Sequence, residues 1–101
     1  MEKRVVVTGI GVVSPVGNNV DAMWESIKSG KHGIAEITRF DLEGHKLTMA
    51  AEVKDFDFGD RRAAKRLDIA DQYALVAARE AVEDSGIVSG ENVDPDRFGI
   101  Y

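Results

Sequence analysis

A hydrophobic run near the start of the chain breaks into glycines almost at once, and this limits the folds open to the sequence. Val5, Val6 and Val7 are consecutive β-branched residues without polar alternation, and glycines follow at positions 9 and 11. A strand of this composition is typical of a sheet that is covered on both faces, as in α/β proteins. The run therefore predicts a first strand within an α/β architecture.

The same stretch partly matches the dinucleotide-binding pattern G-x-G-x-x-G, in which backbone N–H groups at a helix N-terminus meet a pyrophosphate. Gly9 and Gly11 fit, but Ser14 stands at the third position. Pro15 follows, lacks an N–H and disfavours a helical conformation at Ser14. The pattern therefore argues against a nucleotide site and favours glycines that allow close backbone packing at the end of a strand.

A first helix is predicted shortly after this stretch. Asn18 or Asn19 can cap its N-terminus, and Gly30 can end it. Four apolar residues recur at i, i+3, i+4 and i+7, the spacing of one helix face: Val20, Met23, Trp24 and Ile27.

A longer helix is predicted further along, where apolar residues keep a 3.6-residue period from Ile69 to Val82. Gly86 suits a left-handed C-terminal cap. Asp68, with Asp71 three residues later, is a candidate N-cap that separates this helix from a short one over residues 61–66.

The remaining segments are weaker in pattern. Residues 33–44 are predicted to form an irregular link, residues 49–53 a second strand, and residues 97–101 the start of another strand. A buried strand that begins in the last five residues needs something beyond it to cover its edge. We therefore expect the sequence to be a fragment of a longer protein.

Composition excludes several functions. The 101 residues suffice for one domain, and apolar and charged fractions of 44% and 31% are those of a globular protein. A net charge of −5 argues against general nucleic-acid binding. The absence of cysteine excludes a disulfide, a zinc–thiolate site and a cysteine nucleophile within these residues. No apolar run is long enough for a membrane span, so we expect a cytoplasmic protein.

Several short motifs occur in an order that is similar to the N-terminus of the β-ketoacyl-acyl-carrier-protein synthases. They are RVVVTGIGVVSPVGNNV, WESIKSGKHGI, AAEVKDFD, KRLD, QYALVAAREAVEDSG and RFGI, and they extend over essentially the whole chain. Within that family, SPVGNN and VKDFD resemble the type II elongating synthases of bacterial fatty-acid synthesis.

This resemblance implies a thiolase-like fold, with two α/β halves in five αβαβα layers, in a homodimer. Residues 1–101 would form the N-terminal segment of the first half, without a complete domain boundary. The implied reaction is a decarboxylating Claisen condensation, in which an acyl group on a cysteine is extended by malonyl carrier protein. No metal or other cofactor is implied. The family's cysteine and two active-site histidines lie downstream of these motifs, so the chain alone is expected to be inactive.

The histidines and acidic pairs present here are not expected to be catalytic. His32 and His45 lie in polar segments beside glycine and lysine, outside the family's histidine motifs, and no partner that would position either is evident. Two acidic pairs are interpreted as turn residues or solvent-facing charges, namely Asp55 with Asp57 and Glu83 with Asp84.

A basic cluster stands out in this acidic chain, because residues 61–66 read RRAAKR. Arg62, Lys65 and Arg66 are spaced i, i+3 and i+4 and would share one helix face. The simplest interpretation is a solvated face partly neutralised by Asp60 and Asp68.

The resemblance gives the basic cluster a second interpretation. Its positions match those with which the synthases dock the acidic acyl carrier protein, so Arg62, Lys65 and Arg66 are candidate docking residues. The link between Asp57 and Arg61 is a few residues shorter than is common in the family, which could displace the patch.

Two further hypotheses stay open at this point. One is a naturally short, non-catalytic module that binds acyl carrier protein or a synthase subunit. The other is a fragment with no independent role.

Overall fold

The computed structural model describes residues 2–101. Its elements, in chain order, are α1 (Val20–Lys28), β1 (Ile34–Glu36), β2 (Met49–Ala51), α2 (Arg61–Ala64), α3 (Ile69–Ser85) and a short 3₁₀ helix (Pro95–Arg97). The order is therefore mixed helix and strand, with α3 as the longest element.

Helix α1 begins where the sequence predicts it. Asn19 rather than Asn18 is the N-cap, and its side-chain oxygen accepts the backbone N–H of Ala22 at 2.8 Å. Gly30 adopts a φ of 75° just beyond the C-cap, a conformation that favours glycine. Both end signals in the sequence are thus confirmed.

Helix α3 is also confirmed, and it ends at Gly86 in the left-handed conformation with a φ of 71°. Its start differs from the prediction in one respect. Asp68 occupies the N-cap position, but its side chain makes no capping hydrogen bond. The predicted position of the cap is therefore confirmed, whereas the predicted capping bond from the Asp68 side chain is wrong. The side-chain amide of Gln72, one turn into α3, instead donates to the carbonyls of Ala64 and Leu67, at 3.0 and 3.1 Å.

The predicted strand over residues 49–53 is confirmed in its first part as β2. It pairs antiparallel with β1, with Ile34 opposite Ala51 and Glu36 opposite Met49. Residues 33–44 were expected to be irregular throughout, and this is wrong because β1 lies within them. A three-residue strand is too short to show an alternating pattern, and β1 owes its existence to the distant β2.

Two predicted strands are absent from residues 2–101. Residues 5–7 pair with no other strand, and Val5 is 96% exposed. The predicted strand at residues 97–101 is replaced by the 3₁₀ helix and an unpaired tail; the side chain of Asp94 accepts the N–H of Asp96 at 3.0 Å to start that helix. A strand needs a neighbouring backbone to satisfy its N–H and C=O groups, and the described residues supply none at either place.

The glycines that follow residues 5–7 allow the chain to lie directly against α3. A Cβ at Gly11 would meet the backbone of Ala77 and stand 2.7 Å from the nitrogen of Ala81. A Cβ at Gly9 would stand 2.7 Å from the nitrogen of Ser85. No side chain fits at such distances, so the predicted close backbone packing is confirmed.

The turn at residues 14–17 explains why no helix starts in the glycine-rich stretch. The backbones of Ser14 and Gly17 exchange two hydrogen bonds, of 2.8 and 3.2 Å, around Pro15. The chain therefore reverses direction here, and α1 begins only three residues later.

Apolar faces remain uncovered throughout the described residues. None of their hydrophobic side chains is buried, and Trp24 on α1 is 56% exposed. The accessible surface is 8724 Å², against about 5,600 Å² for a compact protein of this mass. The radius of gyration is 17.5 Å, against about 13 Å for a compact domain of this length. The helices and hairpin thus present surfaces suited to further packing.

No helix among residues 2–101 has the length and apolar character required to cross a lipid bilayer.

Candidate functional site

We call the three candidate docking residues the cationic cluster; they are Arg62, Lys65 and Arg66. Helix α2 begins at Arg61 after the N-cap Asp60, whose carboxylate accepts the N–H groups of Arg62 and Ala63 at 2.9 and 3.2 Å. The helical hydrogen bonding continues beyond α2, since the N–H of Lys65 reaches the carbonyl of Arg61 and that of Arg66 reaches Ala63. The helix predicted over residues 61–66 thus ends at Ala64 and continues as a turn through Lys65 and Arg66. The spacing i, i+3 and i+4 favours one side of this segment for the three cations.

The cluster's charges are free of direct partners within residues 2–101. Its three side chains are exposed, and the ion pairs of the described residues lie elsewhere, between Lys28 and Glu25 and between Arg39 and Glu52. The carboxylate of Asp60 is engaged in capping α2. Among the described residues, no ion pair joins the cluster to Asp60 or Asp68, and its exposure agrees with the solvated face of the simplest interpretation.

The cluster stands on a fixed base. The two hydrogen bonds from Gln72 to Ala64 and Leu67 attach the last turn below the cluster to α3. Asp60 fixes the other end of the same turn through its capping bonds. The backbone of this turn is therefore held at both ends, which lowers the entropy cost of ordering it on binding.

A second group of polar residues joins the glycine-rich stretch to α3. One oxygen of Glu80 accepts the N–H of Val12 at 2.9 Å, and its other oxygen accepts the N–H of Val20, the first residue of α1, at 3.0 Å. Asp84 accepts the N–H of Ile10 at 3.1 Å. Two carboxylates on one face of α3 thus hold backbone groups that lie 60 or more residues earlier in the chain.

Sequence reasoning missed Glu80 and the bond made by Asp84. Asp84 is exposed, as expected of a solvent-facing charge, and it also accepts the N–H of Ile10. The available signal was the position of Glu80 in an alanine face, between Ala77 and Ala81 at helical spacing. A carboxylate on such a face needs hydrogen-bond donors from whatever packs there.

The β1–β2 hairpin is attached to α3 through Arg39. Its guanidinium donates to the hydroxyl of Tyr73 at 2.6 Å and lies 3.8 Å from the carboxylate of Glu52. Glu52 also accepts the backbone N–H and the hydroxyl of Thr38, at 3.1 and 3.0 Å. Hydrogen bonding from the Thr38 backbone is the main reason that the pKa of Glu52 is lowered from its usual value of 4.5.

The two histidines lie apart from these groups. His32 is exposed and accepts the N–H of Ile34 at 3.3 Å, while His45 is exposed and meets the ring of Phe40 edge-on at 5.3 Å. Within residues 2–101, no three histidine or acidic side chains come together as metal ligands would. Asp57 accepts the N–H of Gly59 at 2.8 Å, which confirms its interpretation as a turn residue.

The comparison with known proteins identifies the class to which this arrangement belongs. The family described as β-ketoacyl synthase, N-terminal domain, matches residues 2–101. The chain therefore belongs to the β-ketoacyl synthase family.

Two curated relatives are similar to this chain over nearly its whole length. The chain is 46% identical over 102 residues to 3-oxoacyl-[acyl-carrier-protein] synthase 2 of Staphylococcus aureus strain COL, an alignment that covers 98% of this chain and 24% of that protein. It is also 46% identical over 104 residues to the protein of the same name from Coxiella burnetii, covering 99% and 25% of the two chains. The chain thus spans about a quarter of the length of the curated relatives that it matches.

The fold is similar to that of a solved ketosynthase. The ishigamide ketosynthase/chain length factor superposes with a TM-score of 0.65 at 38% identity, over 82% of this chain and 21% of that one. The fold class expected from the sequence, part of a thiolase-like α/β fold, is confirmed by this likeness.

Proposed function

We propose that residues 1–101 form the N-terminal part of a condensing enzyme that extends acyl chains on acyl carrier protein. The observation that carries the proposal is the 46% identity to 3-oxoacyl-[acyl-carrier-protein] synthase 2 over nearly the whole chain. In the proposed reaction, the acyl group is held as a thioester on a cysteine, and malonyl carrier protein loses carbon dioxide. The resulting carbanion attacks the thioester carbonyl, the new carbon–carbon bond forms and the cysteine sulfur leaves.

The 101 residues contain no cysteine, so their own contribution to this reaction is structural and associative. They form the N-terminal segment of the first thiolase-like half, and their uncovered apolar faces suit packing against the rest of such a fold. A homodimer is the assembly that the family relationship favours.

The cationic cluster is the proposed docking site for the carrier protein. Its support is the one-sided spacing of Arg62, Lys65 and Arg66, their exposure, and their freedom from ion pairs within the described residues. An acidic protein would be steered towards such a patch, and its phosphopantetheine arm would be oriented by the contact.

The test is a single-turnover assay with the full-length gene product, acyl carrier protein loaded with an acyl group, and malonyl carrier protein. Mass spectrometry of the carrier protein should reveal a 3-oxoacyl product two carbons longer than the acyl substrate, with release of carbon dioxide. Carrier-protein binding without any condensation product would contradict the enzyme proposal and favour the non-catalytic binding module.

A further inference from the structure

A cleft of about 230 Å³ lies directly beside α2. Its apolar lining comes from Phe56, Phe58, Ala64 and Ile69. We propose that this aromatic cleft receives one large apolar side chain from the acidic helix whose carboxylates contact the cationic cluster. The inference rests on the proposed function, because it assumes that the cluster is where the acidic partner docks.

The cleft is built from residues that are held in place by other contacts. Phe56 meets Tyr73 edge-on with ring centroids 4.7 Å apart, and the guanidinium of Arg79 lies 5.9 Å from the ring centre of Phe58. The bonds from Gln72 to the carbonyls of Ala64 and Leu67 fix α2 against α3 on the remaining side. The cleft is therefore formed before any partner binds. A side chain that enters it orders few further residues, so the entropy cost of binding is small.

Its size and surroundings suit one side chain on a charged helix. A volume of about 230 Å³ accommodates a leucine- or methionine-sized group but not a second helix. Ile69, the first residue of α3, lines the cleft and is 44% exposed. Covering its exposed part would bury apolar surface next to a patch that already attracts carboxylates.

The charges around the cleft favour one orientation of the docking helix. Asp57 and Asp60 line the loop side of the cleft, and both accept backbone N–H groups there. The cations of the cluster lie on α2 and just beyond it. A helix with carboxylates beside its apolar residue is attracted over the cluster and repelled from the loop side, which fixes its orientation.

The experiment measures binding of acyl carrier protein to the full-length gene product by calorimetry, at low and high salt. Ile69→Ala removes part of the cleft lining while keeping a helix-favouring residue, and Ala64→Leu fills the cleft from within. Each should weaken binding by roughly threefold to tenfold at both salt concentrations, because the lost contact is apolar. Val88→Ala, at a residue that is 46% exposed away from the cleft, is the matched control and should bind like the wild type.

The outcomes separate this inference from the docking proposal. Charge variants of the cluster should weaken binding mainly at low salt, whereas the two cleft variants should act at both concentrations. If the charge variants weaken binding and both cleft variants bind like Val88→Ala, the cleft inference is wrong and the docking proposal stands. If the charge variants have no effect at low salt, the docking proposal fails and the cleft inference fails with it. Thermal denaturation of each variant confirms that the fold is retained.

Discussion

The carboxylate of Glu80 accepts the backbone N–H of Val12 at 2.9 Å, although the two residues are 68 positions apart in the chain. The second oxygen of Glu80 accepts the N–H of Val20, so one side chain connects α3, the glycine-rich stretch and the start of α1. We expect Glu80→Gln to lower the free energy of unfolding by about 2 kcal/mol, because an amide offers one acceptor where two are needed.

Urea denaturation of the full-length gene product measures this change. Glu83→Gln is the matched control, since Glu83 is an exposed carboxylate on the same helix. Equal unfolding midpoints for the two variants would show that the Glu80 bonds do not stabilise the fold.

Residue 11 must be glycine because its backbone lies directly against the backbone of α3. A methyl group there would overlap the backbone of Ala77 and Ala81, which cannot move without breaking the helix. We expect Gly11→Ala to cost about 3 kcal/mol or more and to reduce soluble expression sharply. At Gly99, the atoms nearest to an added methyl belong to the side chain of Tyr101, at 3.3 Å, which can move aside, and Gly99→Ala should express normally. Comparable soluble yields of the two variants would contradict the close approach.

Glu52 makes the stability of the fold decrease at low pH. Its pKa is lowered in the folded state, chiefly by the N–H of Thr38. The stabilisation is therefore complete above the pKa of the unfolded chain, near 4.5, and is lost as the pH falls through the lower folded value. In unfolding experiments from pH 6 downwards, Glu52→Gln should flatten the loss of stability below about pH 4.5. Glu36→Gln, on the neighbouring strand, serves as the control. An unchanged slope for Glu52→Gln would refute this role.

The sequence alone was sufficient to predict the elements that depend on local signals. Helices α1 and α3 follow from apolar periodicity, from the cap at Asn19 and from the glycine at position 86. The cationic cluster could be located for the same reason, because it lies within one helical turn.

Features that depend on distant partners were predicted less well. The strands expected at residues 5–7 and 97–101 require neighbours that residues 2–101 do not provide, and β1 exists only through β2. The N–H groups of Val12 and Val20 donate to Glu80 from at least 60 positions away. The alanine face around Glu80 indicates that its carboxylate needs donors, but no local pattern reveals which residues supply them.

The proposed docking role of the cationic cluster is tested most directly by the salt dependence of carrier-protein binding. The full-length gene product is compared with Lys65→Glu/Arg66→Glu, and with Lys31→Glu/Lys46→Glu as a control of equal net charge placed elsewhere on the exposed surface. At about 0.03 M salt the cluster variant should bind on the order of tenfold more weakly, and its affinity should change less as salt is raised to about 0.5 M. The control should follow the wild-type curve closely. Equal affinity of the cluster variant and the wild type at low salt would contradict docking at this surface.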